Sequence, residues 1–264
     1  MSYYKALLLG ILQGITEFLP VSSSGHLLVL RRLFGMGPVP VLYDILLHIA
    51  TLLVICLVFR RKLLELILAL PALFRKEKTE EQKENLSLIL YIILATAVTG
   101  PLGLIIGRID FDTHMRIVYA MFMITGLVLI FSSFVKRPEP SEKIGVLRAL
   151  IIGLAQGLAV FPGLSRSGIT ISASVLSGVD RAKAGEFSFL ISIPAILGAF
   201  VLDLKDAGEL FAAVDPLAVL ISFVAAFAAG TVSLVLLLRM LKSARLFYFS
   251  FYLIPLGILC FIFL

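Results

Sequence analysis

Residues 13–26 read Gln13-Gly-Ile-Thr-Glu17-Phe-Leu-Pro20-Val-Ser22-Ser23-Ser24-Gly25-His26 and set an amide, a carboxylate, three serine hydroxyls and an imidazole among mostly apolar residues. An ionisable side chain inside a membrane segment costs roughly 2.5–3.5 kcal/mol on insertion scales, so such residues usually serve a function. A buried structural network is the other interpretation of these polar groups. The stretch therefore predicts a functional site around Glu17.

A second stretch repeats this pattern and reads Gly153-Leu-Ala-Gln156-Gly157-Leu-Ala-Val-Phe161-Pro-Gly-Leu-Ser165-Arg166-Ser167-Gly168. A shift of 143 residues superposes Gln13 on Gln156, Ser22 on Ser165 and Gly25 on Gly168. The copies differ chemically, because Glu17 corresponds to Val160 and Ser23 corresponds to Arg166. One copy thus offers a base and the other a cation, which predicts one composite site built from both.

The composition is that of an integral membrane protein, because 60% of the residues are hydrophobic, against roughly 45–50% in a soluble domain. The net charge of +6 comes from Lys and Arg at the ends of apolar segments, which argues against a nucleic-acid partner. The two cysteines, Cys56 and Cys260, lie in apolar runs and predict neither a disulfide nor a metal cluster.

The apolar pattern predicts ten helical segments, at residues 4–18, 22–35, 41–59, 86–106, 116–134, 146–161, 168–178, 184–204, 217–239 and 245–264. They form one membrane domain, residues 1–264, with a first repeat at 1–134 and a second at 146–264. Segments of about 20 residues match the ~30 Å hydrocarbon core. The four segments that flank the two motifs are too short to cross comfortably. Short, Pro/Gly-interrupted segments at corresponding places in two halves point to a binding site near the bilayer midplane.

Basic residues predict the orientation in the membrane. One side receives sixteen of them, Arg60, Arg61, Lys62, Arg75, Lys76, Lys78, Lys83, Lys136, Arg137, Lys143, Arg148, Arg181, Lys183, Arg239, Lys242 and Arg245. The other side receives six, Lys5, Arg31, Arg32, Arg108, Arg116 and Lys205. The side with sixteen is therefore predicted to be cytoplasmic, with both termini outside.

Three full spans separate the two motif copies, and an odd number inverts the second copy relative to the first. If all ten segments crossed the bilayer, the loops at 19–21 and 162–167 would open on opposite sides and could not cooperate. Re-entrant turns would instead meet within the protein. The predicted fold is an all-α polytopic membrane protein with an inverted-topology repeat of five helical segments each, whose two re-entrant helix-turn-helix pairs meet near the midplane.

The motifs carry groups suited to phosphoryl chemistry, which needs anion donors, a nucleophile and neutralisation of charge. The guanidinium of Arg166 can hold phosphate oxygens by two parallel hydrogen bonds, although an ion pair with Glu17 is the structural alternative. A helix beginning near Ser167 would direct its positive end at an anion. Glu17 can act as a general base or as a ligand of a divalent cation, and His26 can relay a proton to the leaving phosphate.

Other polar residues have weaker predictions. Ser22 and Ser24 can be helix N-caps as readily as substrate ligands. Asp44 and His48 lie four residues apart, which favours a hydrogen-bonded pair lining a cavity and leaves metal ligation as the alternative. Thr170 follows the second motif and can donate a hydrogen bond to phosphate.

The motif Q-G-x-T-E-F-L-P-V-S-S-S-G-H, followed by F-P-G-x-S-R-S-G-x-T, resembles the bacterial undecaprenyl-diphosphatase family of the bacitracin-resistance type. The similarity runs the whole chain and includes Glu186-Phe-Ser-Phe-Leu. Where that family has Glu or Gln at the first motif position, this chain has Gln13. The resemblance implies removal of one phosphate from undecaprenyl diphosphate in the bacterial inner membrane, and with it bacitracin resistance.

The resemblance and the motifs together predict three sets of site residues. The catalytic set is Glu17, Ser23, His26 and Arg166, of which the resemblance marks Ser23. The substrate-binding set is Gln13, Ser22, Ser24, Ser165, Ser167 and Thr170. The family's dependence on divalent cations implies Mg²⁺ or Ca²⁺, with Glu17 as a ligand. The partners expected are the lipid substrate and membrane lipids, and the sequence leaves open whether chains form a homo-oligomer.

Two rival interpretations accompany this prediction. Lipid-phosphate phosphatases with P-S-G-H and S-R-x5-H-x3-D motifs use a histidine nucleophile, but no histidine follows Arg166 in this chain. The attacking group is therefore either Ser23 or a water activated by Glu17. A secondary transporter or flippase for a polyprenyl phosphate or another anion is the alternative function, because inverted repeats with broken helices are common in transporters.

Overall fold

The computed structural model describes residues 1–37, 39–111, 113–134, 141, 143–242 and 246–264, with only the main chain of Lys242. This part of the chain is helical and contains no strand beyond one isolated bridge between Ser141 and Val179. The helices are α1 (Tyr3–Phe18), α2 (Ser23–Leu33), α3 (Val41–Val58), α4 (Arg60–Ala69), α5 (Glu80–Ile106), α6 (Met115–Phe134), α7 (Val146–Leu158), α8 (Arg166–Leu176), α9 (Arg181–Asp203), α10 (Ala207–Ala213), α11 (Pro216–Lys242) and α12 (Ser250–Phe263). Short 3₁₀ turns occupy Leu70–Phe74, Leu204–Asp206 and Leu246–Phe249.

Each of the ten predicted apolar segments contains a helix, so the all-α prediction is confirmed. The structure has two helices beyond these ten segments. Helix α4 lies in the charged region after the third segment. Helix α10 was not predicted from the sequence. Helix α5 begins six residues before the predicted segment, since Thr79 and Gln82 form a reciprocal cap at its start. Three basic residues in the charge count, Lys136, Arg137 and Arg245, lie outside the described residues.

Side-chain caps set where the two motif helices begin. Ser22 is the N-cap of α2, and its hydroxyl oxygen accepts the amide of Gly25. Its repeat equivalent, Ser165, is the N-cap of α8 and accepts the amide of Gly168. An N-cap oxygen satisfies one of the amides that the first helical turn leaves without a partner. The same cap therefore starts the second helix of both motif copies.

Six helical stretches in the described part of the chain are long and apolar enough to cross a membrane, at Val41–Val58, Glu80–Ile106, Met115–Phe134, Arg181–Ala213, Pro216–Leu241 and Leu246–Phe263. The four motif helices are shorter, with 16, 11, 13 and 11 residues for α1, α2, α7 and α8. At 1.5 Å per residue none of the four spans ~30 Å of hydrocarbon. The protein is therefore a multi-pass membrane protein with four short helices flanking its motifs.

Glycines allow the first helix of each motif to pack closely against a long helix from the other half. In α1, a Cβ at Gly10 would lie 2.2 Å from the carbonyl oxygen of Ser222 in α11, and one at Gly14 would lie 2.5 Å from that of Ala226. In α7, a Cβ at the equivalent Gly153 would lie 2.5 Å from the carbonyl oxygen of Ala95 in α5. Small residues spaced by four let helix backbones approach in membranes.

The remaining large contacts also join the two halves, since α6 packs against α12 and α3 packs against α9. Buried apolar side chains form two clusters, one including Phe18, Phe122 and Phe187 and the other including Leu9 and Tyr43. Large apolar residues such as Leu147 and Val232 are exposed, as expected of a lipid-facing surface. Each half thus buries its helices largely against the other half.

Candidate active site

The carboxylate of Glu17, in the last turn of α1, is the centre of a buried polar cluster. Its Oε1 forms an ion pair with Nη2 of Arg166. Its Oε2 accepts hydrogen bonds from Nε2 of Gln13 at 3.0 Å and from Oγ of Ser23 at 2.6 Å. Nε2 of His48 lies 3.3 Å from the same oxygen. Four side chains from four helices therefore converge on one carboxylate in an apolar protein.

The pairing of Glu17 with Arg166 joins the two motif copies. Arg166 is the first residue of α8, and its side chain is 22% exposed, whereas that of Glu17 is 4% exposed. Beside this pair is a small cavity lined by Glu17, Phe18, Ile55, Arg166, Ser167, Ser188, Phe189 and Ser192. A guanidinium carries five N–H donors in a planar fork, so Arg166 can contact the carboxylate and still offer donors to an anion.

The two motif turns touch directly. The amide of Gly163 donates to Oγ of Ser22 at 3.0 Å, and Oγ of Ser167 donates to the carbonyl oxygen of Phe18 at 3.0 Å. Gly163 has a φ of +95°, and a Cβ there would lie 2.2 Å from the carbonyl oxygen of Val118. The second turn therefore needs glycine at this position, both for its backbone angle and for its packing against α6.

Ser22 is the one non-glycine residue with a positive φ, 71°, in the described part of the chain. Such a conformation costs of order 1–3 kcal/mol and persists only where surrounding contacts impose it. Here the Ser22 hydroxyl accepts the amides of Gly25 and Gly163, and its carbonyl oxygen lies 2.7 Å from Nδ1 of His26. This strained residue holds the first turn against the second and also orients the histidine.

His26 lies away from the carboxylate cluster. Its Nε2 lies 2.8 Å from the hydroxyl of Tyr252 in α12, and its ring packs against Phe122 of α6. In the described residues no hydrogen bond joins His26 to Glu17 or Arg166. The structure therefore brings three of the four predicted catalytic residues together and places His26 on the side that faces α6 and α12.

The predicted substrate-binding residues divide into two groups. Gln13 and Ser167 contact or border the Glu17 cavity. Ser165 caps α8, and Thr170 contacts the carbonyl oxygen of Arg166 and the hydroxyl of Ser188. Ser22 joins the turns as described above, while Ser24 is half-buried and no described hydrogen bond joins it to Glu17 or Arg166. In this structure the hydroxyls of Ser22, Ser165 and Thr170 thus make contacts that hold the backbone.

Asp44 and His48 are hydrogen-bonded as predicted, but through the main chain of Asp44 and not through its carboxylate. Asp44 forms an ion pair with Arg31, and the Nδ1 of His48 instead faces the main-chain carbonyl oxygen of Asp44 at 2.7 Å. Arginine presents a fork that matches a carboxylate, so it is the stronger partner for Asp44. His48 is left with its Nε2 directed at Glu17, which makes it part of the site.

Sequence reasoning missed four residues around the site: His48 as a partner of Glu17, the α9 serines Ser188 and Ser192 that line the cavity, and Tyr252. None lies in either motif. A serine in an apolar helix often donates to the carbonyl oxygen of the preceding turn, as Ser192 does to Phe189 at 2.7 Å, so its presence alone is a weak signal.

A hard divalent cation needs several oxygen ligands, and the polar cluster around Glu17 supplies some of them. The described residues contain no group of three or more His, Cys, Asp and Glu side chains placed to hold a metal ion. The oxygens near Glu17 are nonetheless of the right kind, and Oε1 of Gln13 is buried without a hydrogen-bond partner. Mg²⁺ is commonly bound by one or two carboxylates together with substrate phosphates. The site therefore fits a cation that Glu17 and the substrate would share.

Comparison with known proteins gives one consistent family. The model of the family described as bacitracin resistance protein BacA matches residues 6–259. The chain is 47% identical over 258 residues to a protein of Treponema denticola named undecaprenyl-diphosphatase, covering 98% of this chain and 96% of that one. It is 38% identical over 269 residues to undecaprenyl-diphosphatase 1 of Shouchella clausii, covering 100% and 97%. This multi-pass membrane protein, with Glu17 and Arg166 paired across its two motif copies, belongs to the bacitracin resistance protein BacA family.

Proposed function

We propose that this protein is a membrane phosphatase that hydrolyses undecaprenyl diphosphate to undecaprenyl phosphate and inorganic phosphate. The observation that carries the proposal is the buried pairing of Glu17, Ser23 and Arg166, because it unites a base, a hydroxyl and an anion-binding cation. Its relatives named undecaprenyl-diphosphatase supply the substrate. Such a reaction recycles the lipid carrier of peptidoglycan synthesis and would account for bacitracin resistance.

In this mechanism the terminal phosphate enters the cavity beside Arg166, whose free N–H groups hold its oxygens. Glu17 Oε2 takes the proton of the attacking hydroxyl, and the attacking oxygen bonds to the terminal phosphorus. The bond from that phosphorus to the bridging oxygen breaks, and the bridging oxygen leaves with undecaprenyl phosphate. Where Ser23 attacks, water then hydrolyses the phosphoserine, which releases inorganic phosphate and restores the serine hydroxyl. The hydrogen bond from Ser23 to Glu17 favours the serine as attacking group, since a nucleophile must lie within reach of its base.

A divalent cation, Mg²⁺ or Ca²⁺, is proposed as the cofactor, with Glu17 as its protein ligand. When bound, such a cation neutralises phosphate charge and polarises the phosphorus. Exhaustive chelation should abolish phosphate release, and adding back Mg²⁺ or Ca²⁺ should restore it. Full activity in the chelated protein would remove the cation from the mechanism.

An inverted repeat of residues 1–134 and 146–264 is part of the same proposal. Under the 143-residue shift α1 corresponds to α7 and α5 to α11, so the packing of α1 on α11 is the counterpart of the packing of α7 on α5. Helices α6 and α12 correspond as the last segment of each half, and the contacts of α3 with α9 and of α6 with α12 obey the same symmetry. The short motif helices support re-entrant pairs that meet near the midplane of the bacterial inner membrane, with both termini outside.

Phosphate release from undecaprenyl diphosphate by the detergent-solubilised protein tests the function. Release without sealed vesicles or a gradient is expected of a phosphatase, whereas a transporter or flippase would release none. An acid-quenched single turnover, with a search for phosphoserine at Ser23, then separates the two attacking groups. A trapped phosphoserine supports Ser23, and its absence throughout the first turnover supports water activated by Glu17, whereas ¹⁸O from labelled water would enter phosphate by either route.

A further inference from the structure

The imidazole of His26 is held from three sides. Its Nδ1 lies 2.7 Å from the carbonyl oxygen of Ser22, and its Nε2 lies 2.8 Å from the hydroxyl oxygen of Tyr252. The Tyr252 ring also stacks on the imidazole, with 5.6 Å between centroids and 18° between planes. The edge of Phe122 packs against it at 5.0 Å. These contacts fix both the position and the tilt of the ring.

The chemistry of the partners fixes its tautomer. A carbonyl oxygen has no hydrogen to donate, so Nδ1 of His26 must carry the proton that bonds to Ser22. A neutral imidazole carries one N–H, which leaves Nε2 with a lone pair. The hydroxyl of Tyr252 must therefore be the donor in the contact with Nε2. None of the three neighbours, Ser22, Phe122 and Tyr252, is negatively charged at neutral pH, so nothing there favours a second proton on the ring.

Tyr252 reaches this histidine from the far end of the sequence. It lies in the first turn of α12, where Oγ of Ser250 donates to the carbonyl oxygen of Gly126 in α6 at 2.8 Å and anchors the helix start. His26 is 8% exposed, whereas Tyr252 is 49% exposed. The tyrosine thus covers the open side of the buried imidazole and holds its basic nitrogen.

We propose that Tyr252 is a positioning residue for His26, whose hydroxyl keeps the imidazole in the Nδ1–H tautomer with Nε2 as the basic nitrogen. This inference rests on the proposed function together with the prediction that His26 relays a proton to the leaving phosphate. An imidazole can accept a proton at Nε2 only while Nδ1 carries the other one, so its partners decide which nitrogen is available. The Ser22 carbonyl oxygen holds the proton on Nδ1, and the Tyr252 hydroxyl donates to Nε2.

Replacement of Tyr252 by phenylalanine tests the inference, since Tyr252→Phe keeps the stacked ring and removes only the hydroxyl. One neutral hydrogen bond is worth about threefold to tenfold in an equilibrium or rate, so kcat should fall by about that factor with KM for undecaprenyl diphosphate unchanged. Tyr248, which lies four residues earlier and whose ring lies 4.3 Å from that of Phe247 at a tilt of 30°, is the matched control. Tyr248→Phe should keep wild-type kcat.

Two further measurements separate positioning from a general structural effect. The ¹⁵N resonance of His26 Nε2, assigned by its loss in His26→Ala, should shift in Tyr252→Phe and stay unchanged in Tyr248→Phe. In a double-mutant cycle, Tyr252→Phe should cost nothing further once His26 is alanine, because its effect passes through the imidazole. Equal kcat in Tyr252→Phe and Tyr248→Phe, or an additive loss in the double variant, would overturn the inference.

The His26 Nε2 resonance can be measured in the protein without substrate, so this result does not depend on whether the protein is a phosphatase. An unchanged Nε2 resonance in Tyr252→Phe would show that the hydroxyl does not hold the histidine, whether or not the protein is active. A wild-type protein that releases no phosphate would instead defeat the proposed function, while the resonance would still report on the contact. The two failures are therefore distinguishable.

Discussion

Glu17 is a buried carboxylate whose charge is balanced by contacts from several helices. A buried charge is tolerated only when it is paired and hydrogen-bonded, and here Arg166, Gln13 and Ser23 supply those contacts. Because a pair of this kind can be purely structural, its role has to be tested by variants that preserve the fold. Glu17→Gln and Arg166→Lys are two such variants.

Glu17→Gln should lower turnover by about a hundredfold, roughly 3 kcal/mol, while the protein stays folded. The amide keeps the shape of the carboxylate but cannot take a proton from Ser23 or bind a cation strongly. Phosphate release in detergent measures the loss, and a thermal melt checks the fold. The control is Glu80→Gln, which changes an exposed carboxylate paired with Lys83 and should remain fully active.

Arg166→Lys should be nearly as inactive as Arg166→Ala, again by about a hundredfold, because lysine lacks the planar fork that holds two phosphate oxygens. The two variants should differ in stability, since alanine leaves Glu17 as an unpaired buried charge and lysine does not. Turnover and thermal melts of both proteins, with the exposed Arg75→Lys as control, separate the two effects. Near-normal turnover in both Glu17→Gln and Arg166→Lys would place the site elsewhere and favour the transporter.

For single residues, the sequence predicted that Glu17, Ser23 and Arg166 share one site, with the Glu17–Arg166 ion pair as the structural alternative, but it did not predict the residues around them. The repeat placed the cation of one copy opposite the serine of the other, and Glu17, Ser23 and Arg166 do meet. His26 followed the same motif, yet the first turn of α2 directs it toward α12. Its partner Tyr252 lies 226 residues away, and no local pattern reports such a contact. His48 was paired with Asp44 because the two lie four residues apart on one helix. The ion-pair partner of the Asp44 carboxylate is Arg31, which lies on another helix, so the sequence spacing did not reveal it.

Helices α1 and α7 depend on glycine to reach their partners. Their spacing Gly-x-x-x-Gly, at residues 10 and 14 and again at 153 and 157, was visible in the sequence as part of the repeat, and the ten apolar segments predicted the helices well. Which helix each would contact could not be predicted, because hydropathy gives segments and not neighbours. The short 3₁₀ turns and α10 gave no distinct apolar period and were missed.

Gly14→Ala should destabilise the protein, since the new methyl group would lie 2.5 Å from the carbonyl oxygen of Ala226 and force α1 away from α11. Overpacking of this kind costs about 1–3 kcal/mol. The control, Gly198→Ala, lies in α9 with nothing within 4 Å of the added carbon, so a small gain in stability is expected there. Thermal melts in one detergent compare the two. A Gly14→Ala protein as stable as Gly198→Ala would contradict the close packing.

The whole molecule has a predicted orientation that follows from sixteen basic residues against six. Reporter fusions should place residues 75–85 inside and residue 264 outside the cell, because Lys and Arg near helix ends are retained in the cytoplasm. Fusions at 139–143 should also report inside, although residues 139, 140 and 142 lie outside the described part of the chain. An external result for residues 75–85 would overturn the orientation.

The packing of α1 on α11 bears on how the protein is made. Helix α1 ends at residue 18 and α11 begins at residue 216, so about 200 residues must be synthesised before the first helix meets its partner. At roughly 5–20 residues per second this takes on the order of 10–40 seconds. Arg166 follows α1 by about 150 residues, so for most of that time a short helix with a buried carboxylate lies in or beside the membrane without its arginine. Ribosome-bound chains truncated before residue 216 should therefore remain associated with the insertion machinery or with a chaperone, and completion of α11 should release them.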